Sequence, residues 1–458
     1  MNIVLSDRSE SFINMILEHT DWTISLLIID DFSHNKESYA KEPRIVKMLT
    51  LSELMNYNSE QCMDLNVLSD FKYTFPICDY GSRRIQDDYQ FSHYAFYSGV
   101  NFWCNYLKDN VIDLCIITNH PHGFQCDYLL QEVAKTNHIP CYNVFPHNAY
   151  KLALYSALED DLIPILEEDE QEYTVVASMH ETAHYAKKRN FDANFYEGAK
   201  LISRIAYKVG GAFLFRCLWL IRNGVSDIHY RKCSLSSYIR AYFQINRTLK
   251  SVKKHYTPVS SEDKFVIYFL HFEPEAVITS FASVMDSQLM YIKLLSTALP
   301  KGWKLYVKEH PDTYKLNKWA FEHNIPCAPT FITPYFYETI ANMPNVQLID
   351  YHIPASELLE RAKAISTIAG TITLEGIINK KPIILFDSRR LAYRKCKDFL
   401  FVKDTESCAE VYSKIENGFV PDYSDYDEIQ KKYIVDDTDG YKLLILKKIK
   451  EKLNSNND

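Results

Sequence analysis

The sequence is poor in glycine, with only 12 in 458 residues. No two glycines lie two positions apart, so the G-x-G-x-x-G loop of dinucleotide-binding proteins is absent, and there is no G-K-[ST] triplet. Both motifs need glycine because the backbone must approach phosphate groups closely. The usual dinucleotide and P-loop sites are therefore excluded.

Long apolar stretches and paired cysteines are also missing. The longest apolar run, residues 210–221, has about twelve residues and includes Arg216, whereas a membrane-spanning helix needs about 20. The chain does not open on a basic segment followed by an apolar one, as a secretory signal does. The 11 cysteines are odd in number, scattered and without a C-x-x-C pair, which indicates reduced, buried thiols. We expect a soluble, cytoplasmic protein.

The composition that is present is typical of a globular protein. Hydrophobic residues make up 47% and charged residues 24%, and at about 150 residues per domain the length predicts two or three domains. The 59 acidic residues outnumber the 51 basic ones, which gives a net charge of −8. Because a protein that wraps nucleic acid is normally basic, we expect no nucleic-acid partner.

Apolar runs that alternate with helical patterns predict β-α-β units and a parallel sheet in each half. Strands are predicted in the N-terminal half at 2–5, 23–29, 111–118 and 140–145, with helices around 12–17 and at 128–135. Residues 30–100 are predicted to form loops and short helices. Strands are predicted in the C-terminal half at 265–270, 303–308, 346–349, 362–367 and 382–386, with helices at 285–299, 334–343, 355–361 and 371–378.

These patterns predict an α/β fold with two Rossmann-like domains that face a cleft. The acidic run 159–172 is interpreted as a linker or solvated helix face, and residues 174–256 as helical and increasingly basic. The predicted segments are an N-terminal Rossmann-like domain (1–165), a helical linker (166–260), a C-terminal Rossmann-like domain (261–410) and a helical tail (411–458); the analogy that follows implies that the first binds the acceptor and the third the nucleotide sugar. This organisation is similar to the GT-B glycosyltransferase plan, although fold analogy alone assigns no activity.

Polar residues follow the predicted strands of the C-terminal half, where ligands bind in open parallel sheets. The strand ends are His271–Glu275, Glu309–Pro311, Asp350–His352 and Ser366–Thr371. Because the carboxyl ends of parallel strands meet at one edge, we expect these groups to converge. The predicted donor-binding residues are His271, Glu273, Lys308, Glu309, Pro311, Ser366, Thr367, Gly370, Thr371 and Glu375.

His310 is the first candidate for a catalytic residue. Pro311 favours an extended conformation for His310 at its strand end. An imidazole there can donate a hydrogen bond to a phosphate oxygen or protonate a leaving phosphate. The alternative is a surface histidine or one satisfied by protein partners; the neighbours Lys308, Glu309 and Pro311 favour the functional interpretation.

The turn between Ser366 and Thr371 is a candidate anion site. Its hydroxyls, Gly370 and the N-terminus of the helix that follows provide donors and close backbone approach. The structural alternative is ordinary N-capping by Thr371. Glu375 in that helix is predicted to accept hydrogen bonds from ribose hydroxyls, or else to be a solvated glutamate.

The loop after strand 111–118 is expected to face the cleft from the N-terminal half. His122 and Asp127 are candidates for the base that activates an acceptor hydroxyl. The alternative for Asp127 is an acid at a helix N-terminus. The pair Asp437 and Asp439 is interpreted as helix capping, so no metal site is predicted.

Three runs of the C-terminal half resemble bacterial capsule and surface-polysaccharide biosynthesis glycosyltransferases. They are YFLHFEPEA (268–276), DSQLMYIKLLSTALPKGWKLYVKEHP (286–311) and ISTIAGTITLEGIINKKPIILF (365–386). In that group the PEA, KEHP and GT-x-x-x-E-G-x-x-x-x-K-P motifs recur in this order. The HP and Ser-Thr pairs are also similar to motifs of sialyltransferases and Kdo transferases that use CMP-activated sugars.

The resemblance implies a metal-independent glycosyltransferase of capsule or lipopolysaccharide biosynthesis. His310 would serve the donor phosphate and the leaving group, Ser366 and Thr367 would bind phosphate, and Glu375 would reach the nucleoside. The donor would be a CMP-linked nonulosonate or Kdo-like acidic sugar, with no other cofactor. The acidic base motif of those transferases has no clear counterpart, so the base and the stereochemistry stay open.

Several alternatives remain at this point. The donor can be a UDP- or GDP-sugar, and the protein can be a nucleotide-sugar epimerase or a non-catalytic protein of the export machinery on the same fold. The expected partners are a nucleotide sugar and a glycan or lipid-linked glycan acceptor. The basic, aromatic segment 216–254 and the tail sequence KLLILKKIKEKL are interpreted as interdomain and solvated helices, with peripheral contact at the inner membrane as the alternative.

Overall fold

The computed structural model describes most of both halves of the chain. The described residues are 1–7, 10–30, 33, 35–55, 65–85, 89–118, 125–148, 151–166, 235–273, 287–310, 313, 333–386 and 390–455. The loop with His122, the residue Pro311 and most of the predicted linker lie outside them. In the described part, no helix is long and apolar enough to cross a membrane.

The N-terminal half alternates strands and helices. Its elements are β1 (Asn2–Ser6), α1 (Ile13–His19), β2 (Thr23–Ile29), α2 (Lys36–Tyr39), β3 (Met48–Thr50), α3 (Leu51–Met55), α4 (Leu65–Asp70), α5 (Phe75–Ile85), α6 (Tyr89–Asp109), β4 (Leu114–Ile117), a π-helical turn (Gln125–Leu129), α7 (Leu130–Thr136), β5 (Cys141–Asn148), β6 (Lys151–Ser156) and β7 (Asp161–Ile163).

The C-terminal half begins with a long helix and repeats the same alternation. Its elements are α8 (Leu235–Val252), β8 (Lys264–Phe269), α9 (Gln288–Thr297), β9 (Trp303–Lys308), α10 (Pro334–Ala341), β10 (Val346–Ile349), α11 (Ala355–Arg361), β11 (Ala364–Ser366), α12 (Ile372–Ile378), β12 (Ile383–Leu385), β13 (Leu400–Phe401), α13 (Thr405–Glu416), α14 (Tyr426–Tyr433), β14 (Ile434–Asp436) and α15 (Asp439–Ser455).

The two sheets share one winding pattern. The C-terminal sheet has the order β10-β9-β8-β11-β12-β13 and is parallel throughout. The N-terminal sheet has the order β14-β6-β5-β4-β1-β2-β3, with β7 on β6. It is parallel from β3 to β5, but β6 pairs antiparallel with β5, so the prediction of a purely parallel sheet in this half is wrong. In each sheet the chain starts at the centre, winds outwards, and returns to wind the other way. The strand order therefore reverses between β8 and β11 in one sheet and between β1 and β4 in the other. The predicted α/β fold with two Rossmann-like sheets is confirmed.

Residues 30–100 differ from the prediction of loops and short helices. They contain β3 and the 11-residue α5, and they include the first half of the 21-residue α6. One face of α6 buries Phe96, Val100 and Trp103 at helical spacing. The many tyrosines on the rest of the helix hid this pattern in the sequence.

Smaller differences affect the strands next to these helices. Strand β4 begins at Leu114 rather than at residue 111, because Val111 is 78% exposed. Residues 161–163, which were predicted to belong to an acidic linker, form β7 and pair with β6 in an antiparallel direction.

The C-terminal segment returns to the N-terminal half. The predicted helical tail includes one strand, β14, which pairs antiparallel with β6. Helix α15 buries Ile445, Leu446 and Ile449 in the core around β1 and α1, and the Lys450 ammonium lies 5.6 Å from the centre of the Trp22 ring. Since the apolar side of α15 is buried there, the structural interpretation of the tail is favoured over membrane contact.

Candidate functional site

The ends of β8 and β11 meet at the point where the C-terminal strand order reverses. His271 follows β8 and Thr367 follows β11, and the His271 Nε2 and Thr367 Oγ1 atoms are 3.1 Å apart. The backbone N–H of Ala369 donates to the same Nε2 over 3.1 Å. Because Nε2 accepts this bond, the imidazole carries its proton on Nδ1. Ligands of open α/β sheets bind in the crevice at this switch point.

Gln288, the first residue of α9, holds the exit of β8 in place. Its Oε1 accepts the backbone N–H of His271 over 2.8 Å. Its Nε2 donates to the Glu273 carboxylate over 2.6 Å and to the His271 carbonyl over 3.3 Å. All three residues are buried. Gln288 is therefore a positioning residue that the sequence-based candidates did not include.

Ser366 lies at the end of β11 with its side chain fully buried. Its Oγ has no hydrogen-bond partner among the described residues. A buried hydroxyl without a partner costs about 1–3 kcal/mol, so such groups are rare unless a ligand or water satisfies them. Among the predicted contacts in the described part of the chain, Ser366 is therefore the one whose buried side-chain oxygen is open to a ligand atom or a water.

Glu309 braces the end of β9 from inside the protein. Its carboxylate accepts the backbone N–H of His310 over 2.7 Å, the Thr313 hydroxyl over 2.9 Å and the hydroxyl of Tyr337. Burial raises the pKa of Glu309 to about 6 in spite of these bonds. Protein donors occupy the oxygens of the Glu309 carboxylate. Glu309 therefore positions His310 and is not a ligand-binding residue.

The raised pKa of Glu309 predicts a pH-dependent stability. The folded protein keeps the proton to a higher pH than the unfolded chain, so this carboxyl contributes stability below about pH 4.5 that is lost as the pH rises through about 6. The loss corresponds to about 2 kcal/mol. We expect Glu309→Gln to remove this dependence.

Urea unfolding of both proteins between pH 4.5 and 7.5 measures the effect, as the difference in free energy of unfolding between Glu309→Gln and the parent. The matched control is Glu338→Gln, which changes an exposed glutamate of α10. A difference that stays constant across this pH range contradicts the assignment.

His310, Lys308 and Glu375 lie around the same edge. His310 is partly exposed, and its ring centre is 6.1 Å from that of Phe272. The Lys308 ammonium donates to the Tyr351 carbonyl over 2.7 Å. Burial raises the pKa of the Glu375 carboxyl, and the charge of Lys308 opposes that rise.

The register of the strands places these groups near one another. Tyr268 of β8 pairs with Val307 on one side and with Ser366 on the other. With about 4.8 Å between neighbouring strands, β9 and β11 lie about 10 Å apart. The predicted residues at the ends of β8, β9 and β11 therefore converge on one edge, within reach of one nucleotide-sized ligand.

The turn before α12 is held by Thr367 rather than by Thr371. Thr371 occupies the N-cap position, but its side chain is exposed and makes no capping hydrogen bond. The Thr367 hydroxyl instead accepts the backbone N–H of Gly370 over 3.3 Å. A Cβ atom on Gly370 would lie 2.8 Å from Thr367 Oγ1, so a side chain at this position must displace that hydroxyl.

Gly370→Ala is expected to weaken nucleotide binding by roughly tenfold, a loss of about 1.4 kcal/mol. The added methyl group must displace the Thr367 hydroxyl and with it the contact to His271. Calorimetric titration with a nucleotide measures the loss. The control is Gly440→Ala, because a Cβ at that position meets no atom within 4 Å. Equal affinities in the two variants would show that the Thr367 turn does not contact the ligand.

Of the two predicted acceptor-side residues, only Asp127 lies in the described part of the chain. Asp127 sits in the π-helical turn and is 1% exposed. It is close enough to the buried Cys78 thiol to add to the rise in pKa that burial causes there. The structure thus places Asp127 in the interior of the N-terminal half and not at an open surface.

The switch point of the N-terminal sheet is occupied by the protein itself. Asp7, directly after β1, is fully buried and accepts the backbone N–H groups of Ser11, Phe12 and Ile13 over 3.1, 2.6 and 3.1 Å. The Thr118 hydroxyl donates to the same carboxylate over 2.6 Å. An internal carboxylate fills the place where a phosphate would bind a Rossmann fold. The sequence contains a signal for Asp7, because an acidic residue lies there between a buried strand and a helix, but Asp7 was not among the predicted residues.

Comparison with known proteins gives distant structural matches only. No protein-family model and no curated protein sequence matches the chain. The structure is similar to UDP-GlcNAc 2-epimerase from Methanocaldococcus jannaschii, with 12% identity over 94% of this chain and 98% of that chain and a TM-score of 0.24.

Two sugar transferases are matched at a similar level. The β-Kdo 2,7-transferase KpsC of Thermosulfurimonas dismutans has 8% identity over 76% of this chain and 89% of that chain, with a TM-score of 0.29. The E. coli ADP-heptose LPS heptosyltransferase II has 9% identity over 91% of this chain and 98% of that chain, with a TM-score of 0.25. Matches this distant assign no activity to the chain.

Proposed function

We propose that this protein is a GT-B glycosyltransferase of bacterial surface-polysaccharide biosynthesis that transfers a sugar from a nucleotide donor to a glycan acceptor. The observation that carries the proposal is the polar cluster at the switch point of the C-terminal sheet. There, His271 and Thr367 bridge the two strand ends, and the buried Ser366 hydroxyl lacks a partner among the described residues. Ligands bind at this position in open parallel sheets, and these donor groups support a phosphate site here.

The charges at the two switch points favour the C-terminal half as the nucleotide-binding half. A phosphate at the N-terminal switch point would meet the buried carboxylate of Asp7, which already uses the free N–H groups before α1. The C-terminal switch point is lined instead by the imidazole of His271 and the hydroxyls of Ser366 and Thr367, and the buried Glu273 carboxylate near it is bound by the Gln288 side chain. Like charges in a buried site repel strongly, so the two sites are not interchangeable.

Donor cleavage follows from this arrangement. His310, oriented by Glu309 through its backbone N–H, donates a proton or hydrogen bond to the departing phosphate. An acidic sugar with a carboxylate next to its anomeric carbon develops oxocarbenium character as the phosphate leaves, so the protein mainly stabilises the phosphate and orients the acceptor. We therefore propose a CMP-linked nonulosonate or Kdo-like sugar as the donor.

The acceptor hydroxyl needs a base from the N-terminal half. Of the two sequence candidates we retain His122, because Asp127 is buried and a base must reach the hydroxyl that it deprotonates. Replacing each with alanine in a transfer assay separates them: loss of transfer in His122→Ala with a folded protein supports the choice, and full activity contradicts it.

Calorimetric titration of the full chain with CMP, UDP and GDP tests the nucleotide. We expect CMP to bind, and Ser366→Ala to weaken that binding without lowering the melting temperature, since its hydroxyl has no partner among the described residues to lose. Tight UDP binding without CMP binding would overturn the donor choice. Binding of none of the three would overturn the proposed function.

A donor screen then separates transfer from isomerisation. Incubation of the bound nucleotide sugar without acceptor should leave the sugar unchanged, and addition of acceptor should release the nucleotide. An epimerised sugar in the absence of acceptor would instead identify an epimerase, the alternative activity on this fold.

A further inference from the structure

Arg390 is a buried cation at the junction between the two halves. It follows β12 by five residues, on the carboxyl side of the C-terminal sheet, and only 3% of its surface is exposed. Its partners belong to the N-terminal half: Gln131 in α7 and Tyr155 in β6. The residue therefore joins the strand-end side of one sheet to the body of the other.

The partners of Arg390 carry no charge. One terminal nitrogen, Nη2, donates to the Gln131 Oε1 atom over 2.6 Å, and the guanidinium carbon lies 4.3 Å from the centre of the Tyr155 ring. The other terminal nitrogen, Nη1, is buried and has no hydrogen-bond partner in the described part of the chain. No ion pair of Arg390 with a carboxylate is found there.

A buried guanidinium held in this way lacks the anion that normally accompanies it. An amide oxygen and an aromatic face compensate only part of the cost of removing a positive charge from water. Buried donors without an acceptor are rare in folded proteins and point to a missing ligand.

The geometry around Arg390 is set in advance. The Gln131 amide is oriented by a bond from its Nε2 to the Glu132 carboxylate over 2.9 Å, and the Tyr155 hydroxyl is bonded to Asp160. With Nη2 bonded to Gln131 and one face of the guanidinium against Tyr155, the buried Nη1 has its N–H donors left for another group. A side chain that is already held in place binds an anion without a further loss of conformational entropy.

We propose that Arg390 binds an anionic group of the substrate, a carboxylate or a phosphate, at the junction between the two halves. A guanidinium nitrogen suits these groups because it donates charge-assisted hydrogen bonds to anionic oxygens and keeps its positive charge when buried. If this group is the carboxylate of an acidic sugar, the inference deepens the proposed function and rests on it. The binding of an anion by Arg390 does not depend on the proposed function.

The first experiment needs no knowledge of the substrate. Thermal unfolding of the full chain is measured in sodium acetate and in sodium phosphate against sodium chloride at equal ionic strength. We expect acetate or phosphate to raise the melting temperature of the parent and not that of Arg390→Met, whose melting temperature in chloride is expected to be no lower than that of the parent. The control, Arg394→Met, changes a nearby half-buried arginine and should keep the response.

Two outcomes overturn the proposal. One is an anion response that Arg390→Met retains in full. The other is a large loss of stability in Arg390→Met in chloride with no anion response in the parent, which would identify Arg390 as a purely structural residue. Arg390→Lys, which keeps the charge, is expected to restore part of the response and checks that the folded state is intact.

The second experiment identifies the source of the anion. If Arg390 binds a sugar carboxylate, Arg390→Met lowers affinity for a CMP-linked acidic sugar by roughly 10–100-fold and leaves affinity for CMP unchanged. If it binds the nucleotide phosphate, both affinities fall together. If neither ligand binds the parent although acetate or phosphate does, the proposed donor is wrong and the anion site stands.

Discussion

His310→Ala is expected to slow sugar transfer by about 10²–10⁴-fold, the contribution that a positioned proton donor makes to a reaction. The side chain is partly exposed at the end of β9, and its backbone is held by the buried Glu309 carboxylate. Loss of the imidazole removes proton donation to the leaving phosphate but leaves His271, Ser366 and Thr367 to bind it. We therefore expect kcat to fall much more than the affinity for the nucleotide.

Kinetics with saturating acceptor measure this effect, and the pH profile identifies its cause. The parent should lose activity as His310 loses its proton, and His310→Ala should show no such limb. His19→Ala, an exposed histidine in α1, is the control and should retain the activity of the parent. A fall in nucleotide affinity with unchanged kcat would mean that His310 only binds the donor.

Asp7→Ala is expected to lower the free energy of unfolding by about 3–5 kcal/mol. The carboxylate is fully buried and accepts the N–H groups of Ser11, Phe12 and Ile13 as well as the Thr118 hydroxyl. Hydrogen bonds to a charged group contribute more than neutral ones, and the substitution leaves several donors buried without an acceptor. The bonds also join β1, α1 and the end of β4, so their loss affects the centre of the N-terminal sheet.

Urea unfolding curves give this loss as a change in midpoint at constant slope. Asp113→Ala is the matched control, since that carboxylate accepts one backbone N–H, from Asn2, at an exposed position; we expect a change below about 1 kcal/mol. Thr118→Val removes a single donor to Asp7 and should cost about 1 kcal/mol. An Asp7→Ala loss no larger than that of Asp113→Ala would show that the N-terminal switch point does not depend on an internal anion.

The predicted strands match the structure best where the apolar run is uninterrupted. Residues 23–29, 303–308 and 346–349 are strands with the predicted limits. Buried parallel strands are apolar on both faces, so a short run between polar residues is enough to identify them. Helix α6 was missed because tyrosines outside its buried face obscure the helical spacing of the apolar residues. Strand β14 was missed because three residues are too few to show a strand pattern.

The strand-end residues were predicted for a reason that depends only on topology. Residues after parallel strands share one edge, so His271, Ser366 and Thr367 could be grouped before any distance was known. Their roles could not be separated in the same way. The sequence places Glu309 beside His310, but only the structure shows three protein donors on its carboxylate.

The amino-acid order alone determines the parallel strands of both sheets and the edge of the C-terminal sheet at which polar groups collect. Both depend on short-range patterns of apolar and polar residues. The tertiary structure alone decided that a carboxylate occupies the free N–H groups at the switch point of the N-terminal half, and that Gln288 and Arg390 act at the C-terminal site or near it. Gln288 is 17 positions from His271, and Arg390 is 259 positions from Gln131. Contacts over such separations arise from chain packing, which no local pattern of residues records.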